Sequence, residues 1–503
     1  MSQLKKTIGP MALVAVGAAG IIGSSFLYLT SDFFAEFGLG GTVFGMILAT
    51  VFAGCVALAI SELTSSFPRA GGELVFSYVA FNRGTGFIVG WLLIGIFTGI
   101  VAFYVTAAGF LVSTVAPGMN SIPLYSIGGK TVFLPVLALG IVLMLFMLAI
   151  NWFGASLSFR LQLVLFLAMV VIGIVVVAVG FGAGSIDNFW PMFDASLADG
   201  SSPLSQSVSF ILPALGFLTG FSIVAVMAEE AAVPAGRIGK IVVVAVMIAG
   251  AFYTVIFAAT GFVLPWQETA GLDSGTIDAF KVAGFPVISW AAFSIGVIGI
   301  LTTFIAVFSS VSRLIFSLAR VGLLPRILSR VDERTGAPRP ALIFTALVGL
   351  GLGWIGPGGL VWFLDIGGVN VSLVWIFTVG AFYRMRYKYP HLERPYRVRF
   401  VWVPAIGAIV GAALIVVSLI PGTGMELRWP AEYIMLVAWW ALGAVLWFAA
   451  PRRQTPEESL RGLLGDHHDL LAAAGRDRAP VPAGSDASGP DAGNRHDQLV
   501  GES

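Results

Sequence analysis

The sequence predicts an all-α integral membrane protein of twelve transmembrane helices, the first and sixth of them broken. Three observations carry this prediction. Of 503 residues, 57% are hydrophobic and only 11% charged, whereas a soluble domain carries roughly 25% charged residues. Twelve apolar segments of about 20 residues, the length that crosses a hydrocarbon core, follow one another between charges and turn clusters. Two of those segments carry glycine, serine and proline at mid-depth. The formal net charge of +1 lacks the basic excess of a nucleic-acid binder. The single cysteine, Cys55, allows neither an internal disulfide nor a cysteine metal cluster.

The predicted spans are 8–30, 39–61, 85–115, 131–151, 157–183, 206–232, 240–264, 284–318, 339–357, 361–383, 401–421 and 431–450. Lys5 and Lys6 precede the first span in the manner of a secretory signal, but no small-residue cleavage site follows and further spans succeed it at once. The expected organisation is a short cytoplasmic N-terminus (1–7), a five-helix unit (8–183), a second five-helix unit (206–388) and two further helices (401–450). A tail (452–503) completes it. Rich in Ala, Gly, Asp, Pro and Arg, the tail is expected to be disordered, since it offers too little apolar surface to offset its ordering entropy. An amphipathic turn around 460–471 and a metal-binding His467-His468 pair are the alternatives there.

Orientation follows from the distribution of Lys and Arg. With the N-terminus inside, 21 of the 28 basic residues fall at inner ends and loops, three (Lys130, Lys281, Arg428) fall outside and four lie in the tail. Both termini are therefore expected in the cytoplasm, in a plasma (inner) membrane.

The first span reads Gly17-Ala18-Ala19-Gly20-Ile21-Ile22-Gly23-Ser24-Ser25 and the sixth reads Pro213-Ala214-Leu215-Gly216-Phe217-Leu218-Thr219-Gly220-Phe221-Ser222. Interrupted helices at matching positions of two halves point to a transporter site built on inverted repeats. Non-helical backbone at that depth is tolerated only where it lines a cavity or is buried in protein. An opened helix presents N–H groups that suit a carboxylate and carbonyls that suit a cation or an ammonium, and an amino acid carries both. Close helix packing through the glycines is the alternative explanation.

Five motifs in order then resemble the amino acid–polyamine–organocation family of permeases. They are Gly20-Ile21-Ile22-Gly23-Ser24-Ser25-Phe26; Glu62-Leu63 through Phe67-Pro68-Arg69-Ala70-Gly71-Gly72; Ala228-Glu229-Glu230 with Pro234; Ser312-Arg313-Leu314 through Gly322-Leu323-Leu324-Pro325; and Glu393-Arg394-Pro395-Tyr396-Arg397. The resemblance covers about residues 8–450. It implies a LeuT-like 5+5 inverted repeat, with substrate held between helices one, three, six and eight. A bound amino acid would rest its carboxylate on the amides of Ile22, Gly23, Ser24 and Ser25. Its ammonium would meet carbonyls around Ala19, Gly20, Ile21 and Phe217. Leu93, Ile94 and Thr98 fall where relatives line the side-chain pocket; Gly220 marks the sixth-helix break, and Phe217 or Phe221 could act as a lid. Several relatives carry Asp or Glu where Ser222 stands, so a neutral side chain is favoured, with an amine or polyamine exchanger as the alternative.

An ionisable group inside a span is costly and by default a functional candidate. Glu62, Glu229 and Glu230, with Arg69, Arg83 and Arg313 at the same level, read as an inner gate or as interfacial anchors. Asp365 reads as a proton site, an outer-gate group or a solvated side chain. The region where one proton-coupled branch carries a lysine reads Gln162 onward and has none. Ser309 and Ser310, with carbonyls of Ala18 and Ile21, would supply the oxygen ligands a hard cation prefers, unless both serines bond back to their own helix. Proton coupling, sodium coupling and uncoupled exchange all stay open, as does monomer against dimer.

No cofactor or metal site is expected. A channel would show repeated filter sequences. An embedded enzyme would need a mid-depth nucleophile–base set, and the only histidine outside the tail is His391, in a loop. A non-transporting sensor on the same fold would look identical in sequence.

Overall fold

A computed structural model describes residues 4, 6–128, 130–153, 155–194, 202–421, 426–450, 455–465 and 467–474. Parts of the predicted terminal segments, 1–3, 5, 452–454, 466 and 475–503, lie outside the described residues. The first half contains α1 (Pro10–Ile21), α2 (Thr30–Ser66), α3 (Glu73–Ala80), α4 (Arg83–Ser113), α5 (Leu134–Trp152) and α6 (Ala155–Ala183). The second contains α7 (Ile211–Leu218), α8 (Ser222–Val226), α9 (Ala235–Val263), α10 (Pro286–Arg320), α11 (Arg339–Gly353) and α12 (Leu360–Lys388). Next come α13 (Val403–Leu419), α14 (Ala431–Ala449), α15 (Pro456–Leu464) and α16 (His467–Ala473).

Among the described residues, nine helices are long and apolar enough to cross a membrane. Three shorter apolar helices, α1, α11 and α13, lie where the sequence predicts the first, ninth and eleventh spans. Burial sorts the long helices. In α4, 83% of the most apolar stretch is buried, against 17% in α14, so α4 stands at the centre and α14 at the perimeter. The apolar side chains that α14 exposes, such as Ile434, Val437 and Val445, form a face suited to lipid. One small departure from the all-α expectation is an antiparallel hairpin, β1 (Pro123–Ile127) and β2 (Lys130–Phe133), between α4 and α5.

The two predicted breaks differ in kind. Helix α1 ends at Ile21, Ile22 takes an extended conformation (φ −72°, ψ 93°), and a helical turn resumes at Ser25. Three residues, Ile22–Ser24, therefore lie outside regular helix in the middle of the first span, Ile22 extended and Ser24 already back at helical dihedrals (φ −104°, ψ −26°). The sixth span does not open. It tightens into a 3₁₀ turn over Thr219–Phe221, with Leu218 (φ −82°, ψ 1°) leading in and Ser222 at helical dihedrals after it, and the Thr219 hydroxyl donates back to the Gly216 carbonyl at 3.1 Å. Both spans carry glycines and hydroxyl residues at mid-depth, Gly17, Gly20, Gly23, Ser24 and Ser25 in the first and Gly216, Thr219, Gly220 and Ser222 in the sixth, yet only the first is interrupted by an extended residue.

The start of the chain is tied to the end of the sixth span. Thr7 and Ile8 N–H both donate to the Glu230 carbonyl (2.9 and 3.0 Å), and Ala232 N–H donates to the Ile8 carbonyl at 2.8 Å, a short parallel pairing.

The expected disorder of 452–503 is corrected in part, because 455–465 and 467–474 are ordered. Thr455 and Glu458 form a reciprocal capping box at the start of α15, which satisfies two donors that a short helix otherwise leaves open. Leu463 and Leu464 are fully buried, Ser459 Oγ donates to the Val321 carbonyl at 3.3 Å, and the Leu463 carbonyl accepts from Arg69 Nε at 2.8 Å. A few large apolar residues at helical spacing suffice because the membrane domain supplies the other half of the contact. Replacing Leu463 and Leu464 by Asp is expected to release α15, since each buried leucine contributes about 1.5–3 kcal/mol. Limited proteolysis followed by mass spectrometry should then cut within 455–474 faster by on the order of tenfold.

Candidate substrate site

The non-helical stretch Ile22–Ser24 is buried on every side. Its polar atoms must therefore find partners inside the protein. Ile22 N–H caps α1 by donating to the Ala18 carbonyl at 2.9 Å. Gly23 N–H donates to the Tyr253 hydroxyl at 3.0 Å, and that hydroxyl donates to the Ile21 carbonyl at 2.7 Å. The Thr303 hydroxyl lies between the carbonyls of Ala19 (2.9 Å) and Ile22 (3.0 Å). The Tyr104 hydroxyl stands beside Thr303 and the Ser24 amide. Ser24 Oγ faces Tyr28 Oη without completing a hydrogen bond.

Close backbone approach makes this geometry possible. A Cβ on Gly220 would collide with the Gly20 carbonyl and lie 2.9 Å from Ile21 N, while one on Gly299 would lie 2.5 Å from the Gly23 carbonyl oxygen. The sixth span, at Gly220, and α10, at Gly299, thus bring bare backbone against the opened stretch from two sides. A Cβ on Gly23 would collide with the Tyr104 hydroxyl.

Several expected residues take other places. Ser309 donates to Asn151 Oδ1 and Ser310 to the Ala306 carbonyl at 2.8 Å. The carbonyls expected to join them, of Ala18 and Ile21, already accept from Ile22 N–H and Tyr253. The hydroxyl that meets first-helix carbonyls is Thr303, six residues and nearly two turns before Ser309. Gln162 lies one step away, donating to the Thr302 carbonyl at 3.2 Å. On α4, the third span, Tyr104 is the side chain at Gly23. Leu93, Ile94 and Thr98 are buried but lie six to eleven residues away along α4, roughly 9–16 Å at 1.5 Å per residue. Of the two candidate lids, Phe217 packs on Tyr253 and Phe33 (ring centroids 5.7 Å in each case) and lines a cavity at the acidic end. Phe221 turns away onto Trp375 at 6.0 Å. Ser222 is buried, and facing it is the carboxyl of Glu73.

That acidic-end cavity, about 630 Å³, is lined by Asp32, Glu36, Asp365 and Glu426 with one cation, Arg428. Asp365 also faces Glu432. At the opposite, basic end the charges pair instead. Glu229 sits between Arg320 (3.3 Å) and Arg69 (3.7 Å) and accepts from Leu4 N–H and Ala70 N–H. Glu230 forms a two-point pair with Arg313, whose Nη2–Oε2 distance is 3.0 Å. Glu62 is met by Arg386 and Arg394, across the start of the loop before α13, rather than by the arginines expected; Arg83 donates to the Gly322 carbonyl at 3.1 Å.

The missed residues carried a signal. Tyr104 and Tyr253 are single phenols in otherwise apolar spans, where a buried hydroxyl needs a partner. Thr302-Thr303 was as visible a hydroxyl pair as Ser309-Ser310. Only the level at which Gly299 meets Gly23 decides between them.

An amino acid permease family model matches residues 8–444. The chain belongs to that family. It is similar to the branched-chain amino acid permease BcaP of Lactococcus lactis subsp. cremoris, 26% identical over 88% of this chain and 93% of that one. It is also similar to the methylthioribose transporter of Bacillus subtilis, at 26% identity over 90% and 95%. Cationic amino acid transporter 4 of Mus musculus is 24% identical, over 77% of this chain and 61% of its own. This family member is accordingly a multi-pass membrane protein of a transporter family, not an enzyme.

Two expected outcomes follow. Tyr253→Phe leaves Gly23 N–H and the Ile21 carbonyl without their partner, at about 1–3 kcal/mol each, and should lower the melting temperature in detergent measurably. Arg313→Ala strands a buried Glu230 carboxylate at a cost of roughly 3–5 kcal/mol. It should lower that temperature further, and Arg313→Ala with Glu230→Ala together should recover part of the loss.

Proposed function

We propose that this protein is a secondary permease that moves neutral amino acids across the plasma membrane by alternating access. The reading takes the chain as twelve spans in a LeuT-like 5+5 inverted repeat with both termini in the cytoplasm. One observation carries it: an interruption of the first helix at Ile22–Ser24, outside regular helix and buried at mid-span against bare backbone at Gly220 and Gly299 of the sixth and eighth spans. Amides there suit a carboxylate and carbonyls an ammonium. Ile22 N–H is committed to its helix cap, so the amides left for a carboxylate are those of Gly23, Ser24 and Ser25. A carboxylate oxygen would take the position Tyr253 Oη holds toward Gly23. The surrounding side chains, Tyr104, Phe217, Tyr253 and Thr303, are uncharged, which supports a neutral substrate.

The basic end, with its paired Glu62, Glu229 and Glu230, serves as the cytoplasmic gate in this reading. The acidic cavity above Phe217 serves as the outer vestibule, where carboxylates attract the substrate ammonium. Those same carboxylates favour the second reading, a cationic amino acid or amine as substrate. Coupling is to a proton or to sodium.

The test is uptake and counterflow in proteoliposomes with a panel of labelled neutral and cationic amino acids and amines. Saturable counterflow of at least one neutral amino acid is expected. A panel in which nothing is moved or bound would overturn the reading, and movement of cationic compounds alone would install the second one. Gly23→Val is expected to abolish uptake while the protein still inserts, because its side chain occupies the place of the Tyr104 hydroxyl; normal transport would remove Gly23 from the site.

A further inference from the structure

Glu73 has no part in the stretch described above, yet it is a fully buried carboxyl without an ion-pair partner among the described residues. It opens α3, the short helix between the second and third spans, and its side chain is fully buried. Neither carboxyl oxygen completes a hydrogen bond. The polar group facing it is the Ser222 hydroxyl of α8, on the sixth span directly after the 3₁₀ turn that abuts the opened first helix. The loop leading into α3 is pressed onto the same segment. A Cβ on Gly72 would lie 3.0 Å from Val226 N, Gly71 N–H reaches the Val226 carbonyl at 3.4 Å, and the Ala70 carbonyl accepts from Ser317 Oγ at 2.8 Å.

The charges on neighbouring elements are engaged elsewhere. On α4, Arg83 donates to the Gly322 carbonyl; on α12, Arg384 donates to the Ala80 carbonyl and Arg386 pairs with Glu62. On α10, Arg313 and Arg320 pair with Glu230 and Glu229. Helix α15 brings Glu457 and Arg461, which pair with each other, and Glu458, which caps. Tyr78 is the other titratable group on α3, and α8 itself carries none. Among the described residues, none of these forms an ion pair with Glu73.

A buried carboxylate with no cation beside it is the costly form, and the neutral acid is the form this pocket favours. Burial pushes the Glu73 carboxyl up to about 7, with the Ser222 hydroxyl and the backbone N–H of Glu73 itself pulling the other way. The sign follows: while the pocket is closed the proton is held below that pH, and hydration returns the group to the usual range near about 4.3, releasing it. The boundary that hides Glu73, α3 against α8, lies beside the paired charges of the basic end.

We propose that Glu73 is the proton-carrying residue of this transporter: its carboxyl is protonated while the basic end is closed and gives up that proton when α3 and α8 part. Resting on the permease reading above, this makes the coupling ion a proton. The O–H bond formed at Glu73 with a proton entering past Ser222 is the bond broken to cytoplasmic water, so one proton crosses per cycle and no other reactant is needed.

The experiment uses wild type, Glu73→Gln and Glu73→Asp in proteoliposomes with labelled leucine as probe and a pH-sensitive dye in the lumen. Wild type is expected to show leucine counterflow, to accumulate leucine when the lumen is one pH unit more alkaline, up to about tenfold for one coupled proton, and to acidify the lumen as it does so. Glu73→Gln should keep counterflow, which needs no net proton movement, and lose both accumulation and acidification. Glu73→Asp should restore both. The proposal is overturned if Glu73→Gln accumulates leucine as wild type does, if wild type responds to a sodium gradient alone, or if Glu73→Gln alters only the handling of labelled lysine. Should Glu73→Gln lose counterflow as well, labelling of wild type with dicyclohexylcarbodiimide decides, since the reagent needs a protonated carboxyl in an apolar pocket. Mass spectrometry should find Glu73 modified at pH 6 and spared at pH 8.5, and equal labelling or none at both overturns the proposal. Absence of counterflow by wild type for every amino acid in the panel is a separate result, which sinks the permease reading instead.

Discussion

Everything at the centre of this protein answers to one requirement: the amides and carbonyls of Ile22–Ser24 have left their helix in a place water does not reach. Each unpaired group there would cost several kcal/mol. The surrounding elements are arranged to meet that demand. Tyr253 spans the gap from Ile21 to Gly23, Thr303 takes the two carbonyls one turn apart, and Gly220 and Gly299 let two further helices come within backbone distance. Partners that consist of hydroxyls can be exchanged for the polar ends of a small zwitterion at little net cost. A stretch held open by interhelical backbone bonds could not be.

The two ends of the molecule handle charge in opposite ways. At the basic end Glu62, Glu229 and Glu230 are each met by arginine, and backbone N–H groups complete the shells around Glu229 and Glu62. Such pairs add little net stability over apolar packing, but they are costly to break singly. An arrangement of that kind favours two discrete states, fully paired or fully parted and hydrated. At the acidic end the carboxylates outnumber the arginine and line open space, so their field extends into the cavity. Glu73 belongs to neither regime, being buried at the basic end with no arginine of its own.

The sequence made the membrane class legible, because the length and spacing of apolar runs are set by the bilayer and survive without any tertiary knowledge. It also placed the opened stretch of the first helix to within a residue or two, since glycine and serine at mid-span are costly for a helix wherever it packs. What composition could not supply was register. Ser309-Ser310 and Thr302-Thr303 are equivalent pairs on one helix. The choice between them depends on how far α10 slides along α1, which the contact of Gly299 with Gly23 fixes. The same holds for helix three, where Tyr104 rather than Leu93 or Ile94 reaches the site. The sixth span shows the converse limit. Its glycines and hydroxyls resemble those of the first, yet it tightens instead of opening, and Thr219 closes the turn by donating to the Gly216 carbonyl of its own helix. Glu229 is met by Arg320 and Arg69 and Glu230 by Arg313, whereas Glu62 is met by arginines 324 and 332 positions along the chain, a separation that sequence distance cannot reveal.

The pairing of Ile8 with Glu230 and Ala232 has a mechanical meaning. Three backbone hydrogen bonds join the foot of the first span to the foot of the sixth, and backbone bonds of this kind are short, directional and insensitive to side-chain identity. A tilt of one foot is transmitted to the other without slack. The lower limbs of the two interrupted spans therefore form a single lever, although 222 residues separate Ile8 from Glu230 and one span belongs to each half of the chain. A displacement that began in either half would reach both sides of the central stretch at the same instant.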